Sequence, residues 1–173
     1  DKVKEIKDFL KDYEIYALRE ICEPFEIVED GATFAANALI KARAVHAKLR
    51  ELNLADEFIA LSDDSGISVE ALGGRPGIYS ARFSDMNELG QITGKSATDA
   101  SNRAKLISEL NALNLTSSPA FYTACIAVSS NLGDFTAHGF MHGTAISQER
   151  GSNGFGYDSL FIPKGSTRTL GEL

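Results

Sequence analysis

Residues 119–142, PAFYTACIAVSSNLGDFTAHGFMH, decide the fold. Residues 119–129 are rich in aromatic and β-branched side chains and read as a strand. Asn131-Leu132-Gly133-Asp134 is turn chemistry. Residues 135–142 then pair back on the first arm as a hairpin. A hairpin demands antiparallel pairing. Elsewhere helices and strands interleave. Residues 2–11 (KVKEIKDFLK), 34 to about 52, and 97–113 read as helices, the second capped by Thr33. Residues 14–18 (EIYAL), 57–61 (EFIAL), 67–70 (ISVE) and 157–163 (YDSLFIP) read as strands. We expect an α/β fold with a mixed sheet and flanking helices.

Length suits one domain, residues 1–173. The chain opens at Asp1 without Met and ends at Leu173, so residues are expected to be missing at both ends. An apolar content of 43% and a charged content of 24% are those of a globular chain. The net charge is 17 − 24 = −7. A general nucleic-acid or anionic-membrane binder would be basic, so neither partner is expected. No apolar run reaches membrane-spanning length, and no signal-peptide pattern stands at the start. Cys22 and Cys125 make neither a disulfide framework nor a zinc site, which points to a reducing cytoplasm.

On the 34–52 helix, Phe34, Ala38, Ala42, Val45, Leu49 and Leu52 fall in one arc. Asn37, Lys41 and Lys48 form a stripe beside it. Periodicity alone favours a solvated edge for that stripe, with lysine stems over the core. The sharper reading aims Asn37 and Lys41 at a phosphate. Asp63-Asp64-Ser65-Gly66 follows an apolar strand and reads as a tight polar turn. Its carboxylates suit either an Asx turn or Mg²⁺. Glu29-Asp30 precedes the same helix and is also ordinary dipole chemistry. Two glycine-rich loops, residues 72–77 and 151–158, fit neither the P-loop nor the dinucleotide pattern. In the second, Phe155 between glycines can stack on a purine, and Asp158 can hold a polar edge. His46 reads as a core-edge residue and Cys125 as core. His138 and His142 share a strand face, with no third metal ligand nearby.

These segments resemble, in order and spacing, the inosine triphosphate pyrophosphatase family. The matching stretches are residues 29–34 (EDGATF) with Asn37 and Lys41, residues 62–66 (SDDSG), residues 72–83 (LGGRPGIYSARF), and residues 154–158 (GFGYD) with Phe161. The resemblance implies an elongated fold with two lobes around a central cleft, and a homodimer. It implies Mg²⁺-dependent hydrolysis of ITP, dITP and XTP to the monophosphate and pyrophosphate. Carried over by motif, Glu29 and Asp64 bind metal, Asp63 supports them, and Asp64 is the general base. Lys41 and Ser65 contact the nucleotide, with Asn37 beside them. Phe155, Gly156, Tyr157 and Asp158 form the wall on the base side. Lys2 matches the end of the family's N-terminal phosphate loop, which is otherwise absent, as is the family's C-terminal Lys and Ser-His-Arg segment. Ala36 stands where the family has Glu. Two other readings fit the residues: a Maf-like pyrophosphatase of other modified nucleotides, and a non-catalytic nucleotide-binding module.

Overall fold

The computed structural model describes residues 2–87 and 89–173, the side chains of Lys2 and Glu5 excepted. The Lys2 side chain, expected at the phosphate end, therefore lies outside the described residues. The helices are α1 (Lys2–Phe9), α2 (Leu18–Ile21), α3 (Phe34–Glu51) and α4 (Asp99–Ala112). The strands are β1 (Ala60–Val69), β2 (Ser117–Ser130), β3 (Gly133–Ile146) and β4 (Phe161–Pro163), in spatial order β1-β2-β3-β4. The class is α/β, as expected. Every ladder among the described residues is antiparallel, so no parallel pair of the expected mixed sheet occurs there.

The hairpin forms as read, with Cys125 opposite His138 and Phe121 opposite His142. Thr33 caps α3 by accepting the Ala36 N–H at 3.1 Å. Thr98 caps α4 in a reciprocal box with Ser101. Three expectations change. Residues 14–17 have no strand partner among the described residues. Glu20 instead takes the Ala17 N–H and starts a short helix, while Tyr16 packs edge-on against Phe58. Of the expected strands 57–61 and 67–70, only residues 60–61 and 67–69 are in a ladder, and it is one ladder rather than two, because β1 runs unbroken beside β2 from Ala60 to Val69. The expected Asp63-Asp64 turn is thus the middle of a strand. Finally, residues 158–160 coil as a 3₁₀ turn, and pairing with β3 begins only at Phe161.

Side chains alternate across a strand, and here the two sheet faces carry different cores. Ile67 and Val69 pack with Phe83, Leu106, Leu110, Tyr157, Leu160 and Phe161 on one face. Cys125 and Ala127 pack with Ala38 and Ala42 of α3 on the other. Gly66 marks where the chain after β1 folds back onto the strand. A Cβ there would stand 2.4 Å from Ser80 Oγ and 2.5 Å from the Gly77 carbonyl oxygen. The same hydroxyl accepts the Ile67 N–H at 2.9 Å and donates to Gly77 O at 2.6 Å.

Gly66→Ala should therefore cost about 1–3 kcal/mol, the usual range for overpacking against fixed backbone. Urea unfolding reads this, and an unchanged midpoint would contradict the close approach.

Candidate active site

The site begins with one cation between two acids. Lys41 Nζ lies 2.9 Å from Glu29 Oε2 and 3.2 Å from Asp64 Oδ1. Burial pulls the Lys41 ammonium down, but its hydrogen bonds and the charges of Glu29 and Asp64 outweigh that, so it stays charged well into alkali. Burial lifts the Asp64 carboxyl above its ordinary range, against the opposing pull of Lys41 and a hydrogen bond from Asn37. Asp64 Oδ2 is buried and has no hydrogen-bond partner among the described residues. A buried, unpartnered carboxylate oxygen is costly unless something else is meant to meet it.

Asn37 is only 2% exposed. Its Oδ1 accepts the Gly31 N–H at 2.8 Å, and its side chain also acts on Asp64. A Cβ on Gly31 would lie 2.6 Å from that Oδ1. Asn37 and Lys41 are four apart on α3 and so share a face. Together they pin the 29–31 segment to the middle of β1.

Ser65 turns to the opposite face of β1, the face of Ile67. Asp63 lies there too, with Ser65 Oγ 3.5 Å from Asp63 Oδ2. Over that face sits the 154–158 loop. Tyr122, opposite Ile67 in the ladder, donates its hydroxyl to Asp158 Oδ1 at 3.3 Å. Asp158 Oδ2 accepts the Phe155 N–H at 3.0 Å. Tyr157 is buried in the core and donates to the Ser80 carbonyl at 2.7 Å. Phe155 is 50% exposed.

A half-buried acid–lysine pair on one side of β1 and an exposed aromatic loop on the other now stand together, and comparison with known proteins fits them. The Ham1 family model matches residues 1–173. The chain belongs to the Ham1 family. It is 73% identical over 173 residues to a dITP/XTP pyrophosphatase of Campylobacter concisus, covering all of this chain and 81% of that protein. It is 65% identical to the Campylobacter fetus protein of the same name, covering all of this chain and 80% of that one. Among solved structures, a HAM1 protein from Coxiella burnetii superposes with a TM-score of 0.80 at 34% identity, covering 99% of this chain and 81% of that one. The dITP/XTP pyrophosphatase of Mycobacterium abscessus gives 0.73 at 32% identity, covering 99% and 83%. The resemblance read from the motifs and the family thus agree.

In this Ham1 chain the expected residues separate into two groups. Glu29, Asn37, Lys41 and Asp64 converge. Asp63, expected beside Asp64 at a metal, points the other way, because neighbours on a strand face opposite sides. Of the stripe on α3, Lys48 pairs with Glu51 at 2.8 Å and takes no part in the convergence. Tyr157 and Asp158 shape the loop from within, which leaves Phe155 as the exposed side chain of the loop. His46 is buried between Ser129 Oγ and Asn131 Oδ1, each at 3.2 Å. His138 stacks on Phe140, and no group of three metal-type side chains occurs among the described residues. Sequence reading missed Ser80, Asp99 and Arg103, which hold the loop and the turn. The spacing of Asp99 and Arg103, one helical turn apart, was the available signal.

Lys41→Met would leave two acids facing each other. We expect a loss of about 1–2 kcal/mol at pH 7, between the exposed and fully buried cases. Without the ammonium the Asp64 carboxyl loses the pull that opposes its burial and is lifted further in the folded state. The penalty then appears as pH climbs through that raised range and fades below it. Chemical denaturation at pH 7 and pH 4 should show the smaller loss at pH 4, and equal losses would contradict the pairing.

Proposed function

We propose that this protein hydrolyses non-canonical purine nucleoside triphosphates, dITP, XTP and ITP, to the monophosphate and pyrophosphate, and so cleanses the nucleotide pool. The observation that carries this is the partly desolvated Asp64 carboxylate, tied to Lys41, which also pairs with Glu29, with one oxygen that has no hydrogen-bond partner among the described residues. The names of the relatives give the substrate class.

A divalent ion fits the donor set. Mg²⁺ is commonly held by one or two carboxylates with substrate phosphates completing its shell. Glu29 and Asp64 would hold it, and when bound it would neutralise charge on the triphosphate. Asp64 accepts the proton of the water that attacks the α-phosphorus. Its lifted pKa makes it a stronger base than an ordinary aspartate at the same pH. Lys41, a compact point charge, shifts from the carboxylates towards phosphate oxygens when the nucleotide binds. Ser65 contacts the sugar or phosphates at the strand edge. The Phe155 ring stacks on the base, an interaction worth about 1–3 kcal/mol. A site that pairs the 6-oxo group of a purine would be left with an unpaired polar group by a 6-amino purine, which rejects adenine. The active species is read as a cytoplasmic homodimer. Among the described residues, no helix is long and apolar enough to cross a membrane.

The test is pyrophosphate release from XTP, dITP, ITP, GTP, dATP and dTTP, with and without Mg²⁺. Turnover should favour the first three and require the metal. Asp64→Asn should abolish release while XTP binding survives. Near-normal turnover by that variant would overturn the assignment of the base, and preference for dTTP would favour a Maf-like activity.

A further inference from the structure

The 154–158 loop is held from outside by a grip that the proposed reaction does not itself require. At the start of α4, Asp99 Oδ2 accepts the Gly156 N–H at 2.9 Å, and Arg103 Nη1 donates to the Gly156 carbonyl at 3.0 Å. The two side chains are four residues apart and so lie on one helix face. Both polar groups of a single glycine are thus taken by oppositely charged side chains of one rigid element. Hydrogen bonds to charged partners are the stronger kind. Arg103 is itself steadied by Glu149 at 3.0 Å, and Glu149 accepts the Ser159 hydroxyl at 3.0 Å. Gly156 directly follows Phe155, which is exposed.

We infer that Asp99 and Arg103 are positioning residues for base selection, and that they act by fixing the Gly156 backbone next to Phe155. They do not touch the carboxylate cluster, which belongs to α3 and the opposite sheet face. Their influence should fall on how tightly and how selectively the base is held, and not on bond cleavage. This inference rests on the pyrophosphatase reading, with the purine against Phe155.

The experiment compares Arg103→Ala, Asp99→Ala and Asp99→Asn with the wild type, by steady-state pyrophosphate release from XTP and from ATP. A small displacement of a positioning group can cost orders of magnitude. We expect KM for XTP to rise about tenfold in both alanine variants, kcat to stay within about twofold, and the preference for XTP over ATP to fall about tenfold. Asp99→Asn keeps an acceptor for the Gly156 N–H and should restore wild-type KM and preference. A purely structural role would lower the melting temperature yet leave KM and preference intact, and that result overturns the inference. So does a loss confined to kcat, or an Asp99→Asn variant as impaired as Asp99→Ala. If the wild type releases no pyrophosphate from any nucleotide, the functional reading fails and this inference falls with it. A wild type that is active and selective beside alanine variants that stay equally selective contradicts this inference alone.

Discussion

The two-residue period of β1 governs the site. Asp64 and Ser65 are neighbours in sequence, yet alternation sends the first towards α3 and the second towards the 154–158 loop. A ligand that meets both must cross the edge of the strand, and β1 does stand at an edge of the sheet as described. The carboxylate chemistry and the base-side loop are therefore separate constructions on opposite faces, joined by one strand. Each face has its own core, so each half of the site rests on its own packing.

The two halves solve different physical problems. On the α3 face, acids of like sign are crowded into a partly desolvated place. Only a cation among them makes this tolerable, and Lys41 fills that role in the protein as described. The arrangement is poised for exchange: an ammonium ion that pairs with carboxylates can also meet phosphate oxygens. Asn37 contributes no charge, but it ties the 29–31 backbone to the same point and so keeps Glu29 near. On the other face the problem is precision, because a glycine-rich loop has little side-chain packing to define it. Buried Tyr157, the bonds of Asp158 and the start of α4 supply that definition from three directions.

Much of this could be read from sequence, for identifiable reasons. The hairpin, the Thr33 cap and the long helices are local, and their period and capping chemistry show in short windows. The convergence of Asn37 with Lys41 also follows from helical spacing, although spacing alone favoured a solvated edge. The middle of β1 reads as a turn in sequence because Ser-Asp-Asp-Ser-Gly has turn composition. Tertiary context overrides it: Gly66 is there to admit the 77–80 turn, and Asp64 is compensated by a lysine 23 residues earlier in the chain. The same alternation rule, applied to a strand instead of a turn, would have set Asp63 apart from Asp64. Tyr157 and Asp158 look like ligand contacts in a motif, but their polar atoms are spent on Ser80, Tyr122 and Phe155. Ser80 and Tyr122 lie far off in sequence, and no local pattern reveals them.

The most direct test is a crystal structure of the Asp64→Asn variant with XTP and Mg²⁺. We predict the base against the Phe155 ring, the sugar passing Ser65 at the β1 edge, and the phosphates at Lys41 beside residue 64. A nucleotide lying wholly on one face of the sheet, with its base away from Phe155, would contradict the account.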